Sequence, residues 1–192
     1  MTAEVSAIEL VWLFWAISWF GSWLFAARAI KRPDWRREAI PYLLESSGLV
    51  LLLIIVSTHH NLPLWELWRL PAAWNWALLA VAALGFVFTW WARATLGRLW
   101  SGRVTKKSDH HVVDTGPYGI VRHPIYTGLL LAAFATAAIK GTALALAGCA
   151  LLVIGWSVKA RLEERFLSEE LGAETYGSYR RRVPMLIPFL HL

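Results

Sequence analysis

The stretch Asp114-Thr-Gly-Pro-Tyr-Gly-Ile-Val-Arg-His-Pro-Ile-Tyr-Thr-Gly128 joins a turn to a helix start at the edge of an apolar run. In Gly116-Pro-Tyr-Gly119 the proline fixes one backbone dihedral and the glycines are free to take positive ones, so the composition predicts a turn. Pro124 suits the first turn of the helix that the following apolar residues predict. A helix start leaves backbone N–H groups open, here beside His123 and Tyr126, and such an end suits a carboxylate or another anionic group. The plainer alternative is that His123 caps the helix and Tyr126 belongs to an aromatic belt. Further along, Lys159-Ala-Arg-Leu-Glu-Glu164 closes another apolar run with a tight cluster of both charge signs. Two helix ends are therefore expected to share one pocket.

With 57% hydrophobic and only 17% charged residues, the chain is too apolar for an ordinary soluble domain. It reads as a single integral membrane domain over residues 1–192. The one cysteine, Cys149, lies within an apolar run, which rules out an intrachain disulfide and a cysteine metal cluster. No basic stretch precedes the first apolar segment and no small-residue cleavage pattern follows it. A retained span is expected rather than a signal peptide.

A helix needs about 20 mostly apolar residues to cross the hydrocarbon core. Five runs qualify: residues 10–27, 40–58 (with Glu45 inside), 70–91, 123–139 and 141–158. Backbone groups in lipid have no water to bond, so the predicted fold is all-α, with five transmembrane helices and short helices after the last. Lys140 and Gly141 leave almost no loop between the last two runs, which predicts a tight antiparallel hairpin. Ala132, Ala133, Ala135, Ala145, Ala147 and Gly148 would let its two backbones approach closely. Of the 19 lysines and arginines, all but Arg69 and Lys140 fall on one side of this arrangement. The positive-inside rule then places the N-terminus outside and the C-terminus in the cytosol. The basic balance reflects topology and attraction to anionic headgroups rather than nucleic acid.

The long polar segments, residues 93–122 and 159–192, both fall on the cytosolic side, so chemistry is expected there. The first three spans occupy residues 1–92 and a cofactor-binding half occupies 93–192. The helix of the fifth run is predicted to continue through Leu171 and stop at Gly172, with a further short helix carrying Tyr176 and Tyr179 and ending before Pro184. Lys159 and Glu163 share one helix face, as an ordinary ion pair or as part of a ligand site. Glu45, an acid inside an apolar run, either serves a purpose or snorkels to the headgroups. His59 and His60 lack supporting ligands and read as loop residues rather than a metal site. The Trp12, Trp15, Trp19, Trp23 stripe reads as packing.

His110-His-Val-Val-Asp-Thr-Gly-Pro-Tyr118, Arg122-His-Pro-Ile-Tyr-Thr-Gly128, Glu163-Glu164 and Leu171-Gly-Ala-Glu-Thr-Tyr-Gly-Ser-Tyr-Arg-Arg-Arg-Val-Pro184 occur in an order that resembles the isoprenylcysteine carboxyl methyltransferase family. The resemblance covers about half the chain; the first two runs match only as generic membrane helices. It implies an integral membrane enzyme, of the bacterial inner membrane, that uses S-adenosylmethionine without a Rossmann fold. Carried over by position, the cofactor contacts are Arg103, His110, His111, Val112, Val113, Gly116, Tyr118, His123, Pro124, Ile125, Tyr126 and Glu163. The family's substrate-facing arginine falls on Lys159. Either Lys159 takes that role as a point charge, without the fork of a guanidinium, or Arg161 does.

The implied reaction is methyl transfer to a lipophilic or prenylated acceptor presented by membrane lipid. A carboxylate acceptor is already ionised at neutral pH and needs no general base. A phospholipid amine would need its proton removed by Glu163, Glu164 or Glu45. Membrane sterol reductases carry a similar Arg-His-Pro-x-Tyr element with a nicotinamide cofactor, and the Glu163-Glu164 pair favours the methyltransferase over them. No inverted repeat or broken helix points to a transporter.

Overall fold

A computed structural model describes residues 3–22, 35–54, 66–97 and 112–190. These form helices α1 (Ala3–Ser22), α2 (Trp35–Leu49, continued by a π-helical turn Val50–Ile54), α3 (Ala72–Leu96), α4 (Pro124–Lys140), α5 (Ala143–Leu171) and α6 (Ala173–Arg182). A short 3-10 turn, Gly116–Gly119, precedes α4. Among the described residues there is no strand; an isolated bridge joins Glu66 to Thr142. The first five helices fall on the five apolar runs, although α1 begins at Ala3 and α3 continues to Leu96. Three of them, α1, α3 and α5, are long and apolar enough to cross a membrane, while α2 and α4 are shorter apolar helices.

The hairpin between α4 and α5 forms as expected. Gly141 takes the left-handed conformation (φ 59°) that closes α4, its N–H bonding Ala137 O at 2.9 Å. Thr142 then caps α5 by accepting from Ala145 N at 3.2 Å. Of the small residues expected at the hairpin seam, Gly148 does a different job, facing α2. α4 packs chiefly on α3 and α5 chiefly on α2, more than on each other. A Cβ on Gly85 would stand 2.5 Å from Gly128 O, and one on Gly48 would stand 2.8 Å from Gly148 O. Glycines facing each other across neighbouring helices bring those backbones together, while the hairpin is held by its turn and by contacts such as Tyr126 with Glu163 and Trp156.

The tryptophan stripe is packing. Trp12 Nε1 donates to Thr136 Oγ1 and Trp15 Nε1 to Thr89 Oγ1, each at 2.9 Å, tying α1 to α4 and α3. Trp23 lies outside the described residues, as do His59 and His60. Lys140 is not a solvated loop charge: its buried Nζ meets Glu9 Oε1 and Leu53 O, both at 3.2 Å.

α5 outruns its apolar part to Leu171, and Gly172 (φ 93°) turns the chain into α6. Tyr176, Tyr179 and Val183 bury against Val112, Leu167 and Leu171. The chain then runs back along the start of α4, where Arg122 N bonds Pro184 O at 2.8 Å and His123 N bonds Met185 O at 3.1 Å. Thr127 Oγ1 completes the clamp on Leu186 O at 2.7 Å.

Candidate active site

The turn before α4 is built as its composition demands. Gly116 takes φ 57°, a conformation open to glycine, and lies against Thr95 and Trp91 of α3. Pro117 is the second residue of the 3-10 turn, and Tyr118 and Val121 are buried. Tyr179 of α6 holds this turn by donating from its hydroxyl to Tyr118 O at 2.8 Å. Burial pushes the pKa of Tyr118, Tyr176 and Tyr179 well above the ordinary range, so all three keep their protons.

His123 stands at the N-cap of α4, yet its side chain makes no capping bond. Its imidazole lies instead between two consecutive carboxylates of α5: Nε2 is 3.1 Å from Glu164 Oε1, and Nδ1 is 3.5 Å from Glu163 Oε2. Burial pulls the pKa of His123 down, but the bonds to Glu163 and Glu164 outweigh it, and the net shift is upward. The ring is therefore disposed to carry a positive charge.

The two glutamates have different surroundings. Glu164, with a side chain 4% exposed, also binds Arg122 Nε at 2.6 Å and Arg180 Nε at 3.2 Å. Arg122 further donates to Arg180 O at 3.0 Å and to Val183 O. That network is saturated and joins α4, α5 and α6. Glu163 is 21% exposed and accepts the Tyr126 hydroxyl at 2.6 Å. It is the more exposed of the two carboxylates.

One turn earlier on α5, Lys159 Nζ lies 3.4 Å from Glu45 Oε2 of α2, over the rings of Tyr42 (4.6 Å) and Tyr126 (5.7 Å). Glu45 does not snorkel; it answers a lysine. His123, Tyr126 and Trp156 lie in a nearly parallel series, with centroids 5.6 and 6.4 Å apart.

The structure thus brings together Tyr118, His123, Pro124, Tyr126, Lys159 and Glu163, with Gly116 in the adjoining turn. Ile125 packs on the core and Val112 on the tyrosines of α6, while Val113 is half-buried beside it. Arg161 is exposed, about 200° around the helix from Lys159. Arg103, His110 and His111 lie outside the described residues. The sequence reading passed over Arg122 and Arg180 as site-building residues, gave Glu164 only as one candidate proton acceptor for an amine, and left the role of Glu45 open. Arg122 stands inside the decisive stretch, but nothing in its spacing shows that it reaches Glu164 rather than solvent.

These residues suit a donor that carries both a sulfonium and an amino-acid moiety. Thr127 N to His123 O (3.0 Å) is the first bond of α4, so the Ile125 and Tyr126 amides have no acceptor within the helix and face a carboxylate well. The accessible Glu163 carboxylate suits an ammonium or hydroxyl, and the aromatic series suits a sulfonium or a flat base.

The family model described as Isoprenylcysteine carboxyl methyltransferase (ICMT) family matches residues 77–169. Over 185 residues the chain is 34% identical to methanethiol S-methyltransferase 2 of Bradyrhizobium diazoefficiens, covering 87% of this chain and 68% of that protein. It is 29% identical over 118 residues to protein-S-isoprenylcysteine O-methyltransferase B of Arabidopsis thaliana, covering 59% and 58%. The solved structure of the eukaryotic intramembrane Ras methyltransferase ICMT superposes with a TM-score of 0.53 at 25% identity, over 78% of this chain and 52% of that one. The chain thus spans between about half and two thirds of the length of these relatives. An apolar helical body with these matches defines an integral membrane methyltransferase. The chain belongs to the isoprenylcysteine carboxyl methyltransferase family.

Proposed function

We propose that this protein uses S-adenosylmethionine to methylate an acceptor drawn from the bilayer, at a pocket on the cytosolic side of a bacterial inner membrane. The observation that carries this reading is the meeting of the α4 start with the far end of α5, His123 and Tyr126 on one side and Glu163 on the other. In this reading the five apolar helices all span, the chain is one domain, and residues 93–192 form its cofactor-binding half.

S-adenosylmethionine supplies an electrophilic methyl group on a positively charged sulfur. The chain's own residues bind and orient. The open amides of α4 and the Glu163 carboxylate hold the amino-acid end, and His123 and Tyr126 fix Glu163 in place. Glu164, held by Arg122 and Arg180, keeps the two helix ends from separating. Apolar helices exclude water around the reacting groups, and positioning of this kind supplies roughly 7–11 kcal/mol in well-oriented reactions. The acceptor is a lipophilic small molecule or a prenylated chain. Its reacting group is a carboxylate in the sequence reading, whereas one relative is named for a thiol. The phospholipid-amine and reductase readings gain no support from the relatives.

Calorimetry of detergent-purified protein tests the assignment. S-adenosylmethionine should bind, NADPH should not, and His123→Ala, Tyr126→Ala and Glu163→Ala should each weaken binding while the protein stays folded. Unchanged affinity in all three variants would overturn it. Incubation with methyl-labelled donor and host lipid extract, read by mass spectrometry, then identifies the acceptor.

A further inference from the structure

Lys159 Nζ stands 5.7 Å from the Tyr126 ring centroid, and its carboxylate partner comes from another helix. Glu45 reaches it because α2 and α5 are brought together by glycine: a Cβ on Gly155 would stand 3.2 Å from Glu45 Cγ and 3.2 Å from Leu44 Cβ. The side chains of Lys159 and Glu45 are only 9% and 12% exposed. From Lys159 the contacts continue through Tyr126 to Glu163 and His123.

Resting on the methyltransferase reading, we infer that the Glu45–Lys159 pair sets the acceptor class, admitting a nucleophile that arrives neutral and protonated, a thiol, in preference to a carboxylate. The ammonium that would attract a carboxylate is already neutralised. A carboxylate entering beside it would meet the like charge of Glu45, whose side chain is only 12% exposed, and would lose its own hydration. A thiol enters without that cost. Its S–H bond then breaks, the proton passes to the Glu45 carboxylate, and the electron pair stays on sulfur facing the Lys159 ammonium. One anion replaces another beside the same cation, so no net charge is created in the apolar site. An unpaired lysine would do the opposite and draw in carboxylates.

The test compares 1-octanethiol with octanoate in detergent micelles, with S-adenosylhomocysteine present, by calorimetry and by methyl transfer when the donor is added. Heat from S-adenosylhomocysteine alone checks the methyltransferase reading; its absence would sink that reading whatever the acceptors do. Given that heat, the wild-type protein should bind and methylate the thiol at least tenfold better than the carboxylate. Glu45→Gln should raise octanoate affinity about tenfold, and the double variant Glu45→Gln with Lys159→Gln should return it to the wild-type level. Wild-type protein that takes octanoate as well as the thiol overturns the inference, and this needs no variant to fold. So does a Glu45→Gln protein whose preference is unchanged.

Discussion

Arg122 and Glu164 form a buried ion pair, Nε to Oε1 at 2.6 Å, with side chains only 5% and 4% exposed. The residues belong to the turn before α4 and to α5, and the pair also collects Arg180, from α6. Its value lies less in attraction than in what its loss would leave behind, because one member of a buried pair without the other is an uncompensated charge. The site therefore rests on a joint in which each member secures the others.

Glu164→Ala should consequently destabilise the protein by about 3–5 kcal/mol, the range for breaking a buried pair. Glu163→Ala, at a more exposed position with fewer partners, should cost much less while losing donor binding. Thermal unfolding in detergent, beside calorimetry with S-adenosylmethionine, separates the two effects. Equal destabilisation by both variants would contradict the division of labour.

His123 gives stability a pH dependence. Its folded pKa is raised above the ordinary value of about 6.5, burial being outweighed by Glu163 and Glu164. The protonated ring then favours the fold. That contribution is fully present below about pH 6.5 and is lost as pH rises through the higher folded value. Unfolding temperatures should fall on the alkaline side of that window, and His123→Gln should flatten the profile. A variant profile as steep as the wild type's would assign the dependence to another group.

Tyr126→Phe removes one hydroxyl, whose bond to Glu163 is 2.6 Å long. A hydrogen bond to a charged group contributes about 1.5–3 kcal/mol. Donor affinity should drop roughly tenfold or more if Tyr126 orients Glu163 for the ligand, with little change in the helical circular dichroism. Undiminished affinity would show that Glu163 needs no such support.

Glycines on different helices should respond in opposite directions. A Cβ on Gly148 would stand 2.7 Å from Gly48 O and from Leu52 N, whereas one on Gly21 meets nothing within 4 Å. Gly148→Ala should lower the unfolding temperature by forcing α2 and α5 apart. Gly21→Ala, near the end of α1, should leave stability unchanged or raise it by up to about 1 kcal/mol through helix propensity. A neutral Gly148→Ala would mean that this seam can relax.

The sequence by itself determined the local structure. Apolar run length set the places of the five helices, Gly141 and Thr142 set the hairpin turn, and Gly172 set the end of α5, because each follows from backbone chemistry within a few residues. The order of its motifs also carried the family, and with it the expectation that His123 and Glu163 meet. Only the tertiary structure decided the partners. The same helical spacing serves Gly148 toward α4 or toward α2, and it was the opposing Gly48 that chose α2. Nothing near Glu45 in the chain marks Lys159 as its counter-ion, and nothing near Arg122 marks Glu164. A charge is satisfied by whichever opposite charge the packing delivers, and that depends on contacts between residues far apart in the chain, which spacing along it does not record.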